Sequence, residues 1–142
     1  MFGRGFKREK GRKYNNTKVE IDGIKFDSKK ESQRYLVLKD AQEKGIITNL
    51  QRQVRYELIP PIKEDYVVHL KTKDKMATRT LQLAITYTCD FKYEKDGETI
   101  VEDVKASPSY VALDKVYILK RKMMFALKGI RIKEVYKASD NI

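Results

Sequence analysis

Apolar residues recur along this chain at two periods, and each change of period marks an element. From Ser28 the spacing is helical: on a wheel of ~100° per residue, Tyr35 and Leu38 fall about 40° and 20° to either side of Glu31. One stripe therefore carries all three. Ser28-Lys-Lys-Glu31 is a Ser-x-x-Glu capping box at the start of this helix, and Gly45 is a natural residue just past its end. Leu50 to Ile59 alternates as a strand and stops at Pro60-Pro61. A second alternating run puts Leu81, Leu83, Ile85, Tyr87, Cys89 and Phe91 on one face and Ala84, Thr86, Thr88, Asp90 and Lys92 on the other. Thr99 to Ala106 alternates again, with Val101, Asp103 and Lys105 on one face and Ile100, Glu102 and Val104 on the opposite one. Leu113 to Leu127 returns to the helical period, with Val116, Leu119, Met123 and Leu127 as its apolar stripe and Gly129 as its stop.

The pattern is weaker between these runs. Val19 to Phe26 reads as a short strand or hairpin around Asp22-Gly23. In residues 62 to 80, Tyr66 to Leu70 fits an edge strand and Lys71 to Thr80 an exposed basic loop. Ser107-Pro-Ser109 breaks the chain, and Ile130 to Tyr136 alternates as a last strand. The order is helix, three strands, helix, strand. It predicts an α/β fold with a mixed sheet, in which the meander supplies antiparallel neighbours and the second helix crosses over to the last strand.

Asp96-Gly97 is the dipeptide favoured in a two-residue type I′ turn. With that turn Lys95 faces Glu98, Tyr93 faces Ile100, and Asp90 faces Asp103. Like charges opposed on one face of an antiparallel pair lie about 4.5 to 5.5 Å apart at Cβ and repel. Something positive is expected between them, and Lys105 lies one diagonal step away. Each residue also has an ordinary reading. Asp90 and Asp103 could form surface ion pairs with Lys92 and Lys105, Lys105 could be a solvated sheet lysine, and Glu31 could be no more than the acid of its capping box. Glu102, on the Phe91 face, reads as a cover residue.

Charge enlarges the picture. The 142 residues hold 31 Lys plus Arg against 20 Asp plus Glu, a formal net charge of +11. Such an excess attracts polyanions, of which nucleic acid is the commonest for an intracellular protein. Residues 1–18, with Arg12 and Lys13 among their cations, read as a basic flexible arm able to touch phosphates, and 19–142 as one domain. A second basic cluster, including Lys120, Arg121 and Lys122, marks the last third. The lone Cys89 and lone His69 leave too few ligands for a zinc site and read as structural. No apolar run reaches the roughly 20 residues that span a bilayer, so no membrane partner is expected.

The pattern Glu31, Asp90, Asp103-Val-Lys105 in this element order resembles the PD-(D/E)XK nuclease superfamily, with its restriction-endonuclease-like αβββαβ core and mixed sheet flanked by helices. More narrowly, Val19 to Glu31, Gly45 to Gln53, Tyr87 to Phe91 and Val101 to Lys105 look like the signature of a phage and prophage family of unknown function, itself similar to phage Holliday-junction-resolving endonucleases. The chain departs from the superfamily in two places: no Pro precedes Asp90, and Ala106 with residues 107–112 follows Lys105 where a Gly is usual. The resemblance implies that Asp90 and Asp103 bind Mg²⁺ or Mn²⁺, with the backbone carbonyl of Val104 as a further ligand. It implies that Glu31 completes the shell or holds a water, that Lys105 orients the attacking water, and that Gln53 neighbours the site.

The expectation is thus a divalent-metal-dependent endodeoxyribonuclease acting on branched DNA, with a Holliday junction as the leading substrate. It would work as a homodimer in the cytoplasm of a bacterial host, because a junction needs two symmetric cuts. The alternatives are a DNA-binding accessory protein without turnover, and a nicking or single-strand nuclease with the same site.

Overall fold

The computed structural model describes residues 18–142. Val19–Ile21 (β1) and Ile24–Phe26 (β2) form a small hairpin, with Asp22 and Gly23 both at positive φ as a type I′ turn requires. Lys29–Glu43 (α1) starts at Ser28, whose hydroxyl accepts from the Glu31 N–H at 3.1 Å, and stops at Gly45 with φ 73°. The long strands Thr48–Ile59 (β3) and Ile85–Lys95 (β6) pair antiparallel, β6 turns at Asp96-Gly97 into Glu98–Val104 (β7), and β7 runs parallel to Lys133–Val135 (β8). The sheet order is β3-β6-β7-β8. Pro108–Leu113 (α2) and Lys115–Lys128 (α3) make the crossover from β7 to β8. The fold is mixed α/β with a mixed sheet, in the expected helix, three strands, helix, strand order.

Three expectations are corrected. Residues 71–80 are not a loop: Ile62–His69 (β4) pairs with Asp74–Gln82 (β5) in a separate two-stranded hairpin between β3 and β6. Leu81 and Leu83 therefore do not continue the face of β6, and both are exposed. Ser107-Pro108 breaks the chain only to start α2, since Ser107 caps it and Pro108 takes a first-turn position where its missing N–H costs nothing. On α3 the buried residues are Tyr117 and Met124, while Val116, Leu119 and Leu127 of the anticipated stripe are more than half exposed. Tyr117 outcompetes them because its ring fills space next to the sheet and its hydroxyl has a carboxylate to meet, Glu134 Oε1 at 2.9 Å.

Two buried clusters lie on opposite faces of the sheet. The first packs Phe26, Leu38, Ala41 and Ile47 with Phe91 and Tyr93 under α1, joined by Ile100 and Val104. The second packs Leu58, Tyr87, Cys89 and Val101 with Tyr117, Met124 and Ile132 under α3. Cys89 and Phe91 are two apart on one strand, yet they serve different cores. The change of side falls at Asp90. On β3 it falls at Gln53, after Arg52, which lies against Phe26, and before Val54, which packs on the second cluster. Gln53 has φ 51°, a left-handed conformation that side-chain-bearing residues rarely adopt. It lies on the rung facing Asp90, between the pairs Arg52–Phe91 and Val54–Cys89.

Candidate active site

The anticipated register holds, with Lys95 facing Glu98, Tyr93 facing Ile100 and Phe91 facing Glu102. The ladder stops one rung short of the acids. Beyond it the Asp90 carboxylate takes the place of a main-chain acceptor, with Oδ2 accepting the Val104 N–H at 2.7 Å. The splay of β6 and β7 at this rung opens the end of the sheet where Asp90 and Asp103 meet.

Each acid is held by a different element. Asp103 is buried, its Oδ2 accepting from the Tyr87 hydroxyl at 2.6 Å and its Oδ1 lying 3.1 Å from Lys105 Nζ. Glu31, buried on the first turn of α1, reaches the site through Gln53, whose Nε2 donates to Glu31 Oε1 at 3.2 Å and to Asp90 Oδ1 at 3.3 Å. Arg52 Nη2 stands 3.9 Å from Glu31 Oε1, with its guanidinium 4.2 Å above the Phe26 ring. Glu31 thus both sits in the cap of its helix and turns its carboxylate to the site. Lys30 Nζ donates to the carbonyls of Lys105 and Ala106 at 3.2 and 3.1 Å, fixing the chain where it leaves β7.

Burial is the largest influence on Asp90 and, with the nearby charge of Asp103 next, pushes its carboxyl up to about 7 against the pull of the Val104 N–H. Burial likewise raises Glu31, offset in part by Arg52 and the Gln53 hydrogen bond. Burial and the adjacent Asp103 carboxylate push the Tyr87 hydroxyl far above its ordinary range, so it stays a proton donor. Among the described residues, the site is a cluster of three acids with two cations, Arg52 and Lys105, beside them.

Among the described residues, no group of three or more His, Cys, Asp or Glu side chains is placed to hold a metal ion. Two carboxylates and an all-oxygen donor set nevertheless fit a magnesium-type cation, which keeps several waters and takes one or two protein carboxylates plus substrate oxygens. The raised Asp90 carboxyl fits as well, because a cation would offset both the burial and the Asp103 repulsion that raise it.

Of the sequence-derived candidates, Glu31, Asp90, Asp103, Lys105 and Gln53 come together here. The Val104 group seen to act is its N–H. Lys120 and Lys122 lie on α3, and Arg121 pairs with Glu134 at 2.6 Å on the same helix's sheet side. Arg12 and Lys13 lie outside the described residues. Sequence reasoning missed Tyr87, Tyr117 and Arg52. Lys105 Nζ sits 3.7 Å from the centroid of the Tyr117 ring, a contact from another element that no local pattern announces. Arg52 adjoins Gln53 in sequence, on the strand β3 whose register with β6 no turn dipeptide announces. Glu102, expected as a cover residue, is instead fully buried against Arg34.

A mixed α/β domain with an acid cluster at the splayed end of its central strands is the class that fold and site define. The chain belongs to the family described as Protein of unknown function (DUF1064), which it matches over residues 11–139. No curated protein and no solved structure matches it. Among the described residues, no helix is long and apolar enough to cross a membrane.

Proposed function

We propose that this protein is a divalent-metal-dependent endodeoxyribonuclease of the PD-(D/E)XK type, cutting phosphodiesters in branched DNA as a phage-encoded Holliday junction resolvase in the bacterial cytoplasm. The observation that carries the reading is the meeting of Asp90, Asp103 and Lys105 just beyond the end of the β6–β7 ladder, with Glu31 tied to Asp90 by Gln53. Asp90 and Asp103 would hold Mg²⁺ or Mn²⁺, with Glu31 alongside and the Val104 carbonyl as a further candidate. The bound cation would supply water activation and charge stabilisation at phosphorus.

The chain's own groups do the rest. Tyr87 fixes the rotamer of Asp103, and the Val104 N–H fixes that of Asp90. Lys105, held between Asp103 and the Tyr117 ring, is placed to orient a water or offset charge on a phosphate oxygen. Gln53, in its strained backbone conformation, keeps Glu31 and Asp90 at a common distance. The net charge of +11 suits a polyanionic substrate. Two symmetric cuts in a junction would require a homodimer.

The test is incubation of labelled four-way junction and matched linear duplex with wild type, Asp90→Asn and Lys105→Ala in Mg²⁺, Mn²⁺ and EDTA. Metal-dependent paired cuts on the junction are expected, with Asp90→Asn reducing the rate on the order of a thousandfold. Tight binding without cleavage in either metal would favour the DNA-binding accessory role. Single cuts on nicked or unpaired substrates would favour the nicking enzyme.

A further inference from the structure

On α3, Ile118, Arg121, Lys122 and Phe125 recur at i, i+3, i+4 and i+7 and so share one face. That face lies against the segment after the helix, and with Arg131 and Ile132 it lines a cavity of about 330 Å³. Three of the six lining residues are cations and none is an acid. Arg121 is paired with Glu134, whereas Lys122 and Arg131 have no carboxylate partner among the described residues. Phe125 is 56% exposed, and the Arg131 guanidinium lies 5.4 Å from its ring centroid. An exposed aromatic with Arg131 over its ring and Lys122 beside it, neither with a carboxylate partner among the described residues, above an apolar floor of Ile118 and buried Ile132, is unlike an ordinary solvated basic face.

We propose that this groove binds an unpaired nucleotide of a nucleic-acid strand, its base stacked on Phe125 and its flanking phosphates held by Arg131 and Lys122. The chemistry matches on both counts, since aromatic side chains accept the face of any base while the cationic rim tracks the backbone. A blunt duplex, whose bases are stacked on one another, has no free base to offer. The groove is also close to the acid cluster. Arg121 Cζ lies 5.8 Å from the Tyr117 ring and Lys105 Nζ 3.7 Å from it, so one ring links the two sites. The idea that one strand passes through both rests on the proposed nuclease function. The groove's preference for an unpaired base does not, because it can be measured without cleavage.

The experiment is fluorescence anisotropy in EDTA with three labelled probes of equal length: a thymidine oligomer, an abasic oligomer with the same phosphates, and a blunt duplex. Wild type is compared with Phe125→Ala, Phe125→Leu and Arg131→Ala. Both Phe125 variants are expected to weaken thymidine-oligomer binding about tenfold or more, and to leave the abasic and duplex probes within about twofold. Arg131→Ala should weaken thymidine and abasic oligomers alike and reduce the salt slope by about 0.7. Wild-type affinity of Phe125→Leu for the thymidine oligomer would overturn the proposal, as would equal losses on all three probes. Displacement of the oligomer by oligoglutamate at the same concentration from wild type and Phe125→Leu would mark an acidic-peptide site instead. Loss of junction cleavage in the earlier test would leave these outcomes unaffected.

Discussion

Glu102 and Asp103 are neighbours on β7, and their carboxylates meet opposite surroundings. Glu102 faces the α1 core, where Arg34 grips it through Nε at 2.9 Å and Nη2 at 2.6 Å, the Tyr93 hydroxyl donates at 2.6 Å, and Lys133 stands at 3.5 Å. Arg34 spends its remaining donors on the carbonyls of Ala138, Asp140 and Asn141, binding the C-terminal tail to the helix. Among the described residues, the Glu102 carboxylate has cations against its charge and a donor on each oxygen. Across the sheet, Asp103 lies beside Asp90 and Glu31, and among the described residues Lys105 and Arg52 are the cations that stand against the three acids. Both clusters are buried, so burial alone does not tell structure from chemistry. The distinguishing feature is saturation: one cluster is complete as folded, and the other has negative charge left over.

The sharpest way to break this comparison is at Arg34. Arg34→Met leaves the buried Glu102 carboxylate without its two-pronged partner, with Lys133 at 3.5 Å beside it, and should lower unfolding free energy by about 3–5 kcal/mol in urea titrations. Adding Glu102→Leu should recover most of the loss, because a buried pair replaced by apolar groups is often neutral. If the single variant loses under about 1 kcal/mol, the pair is no anchor and the contrast fails.

The opposite sign is expected on the other face. A raised carboxyl means that the folded state holds the Asp90 proton between its ordinary value and about 7, where the unfolded chain has released it. This contribution is fully present at low pH and is lost as pH rises through about 7. In EDTA at pH 8, Asp90→Asn should therefore be more stable than wild type, on the order of 1–3 kcal/mol, and the gap should close toward pH 4. A less stable Asp90→Asn at pH 8 would mean the acids are not in excess. The smallest effect belongs to Gln53→Ala. Its two long hydrogen bonds are worth about 1 kcal/mol each at most, so any rate read in the junction assay should fall by less than about thirtyfold, with the fold intact by circular dichroism.

Much of this contrast was legible in the chain. The Asp96-Gly97 turn set the register that brings Asp90 to Asp103, and Ser28 and Gly45 bounded α1. What stayed hidden depends on distance. Period-2 reasoning put Tyr87, Cys89 and Phe91 on one face, but the side change at Asp90 sends the first two to the α3 core and so delivers the Tyr87 hydroxyl to Asp103. The α3 stripe was misread because spacing counts apolar residues, whereas Tyr117 is buried by a ring and a hydroxyl together. Glu102 needed a partner 68 positions away, which no local pattern supplies. Tyr66 to Leu70 reads as an edge strand, but its partner β5 was missed because its residues mix polar and apolar on both faces, and Tyr66, Val67 and Met76 stay exposed among the described residues.

The central claim is that the unsaturated cluster takes up a divalent cation. Titration of Mn²⁺ into wild type and Asp90→Asn at pH 8, followed by electron paramagnetic resonance of free Mn²⁺, tests it most directly. Saturable Mn²⁺ uptake by wild type is expected with a matching rise in unfolding free energy, both lost in Asp90→Asn and both retained in Arg131→Ala. Equal uptake by wild type and Asp90→Asn, or none by wild type, would contradict it.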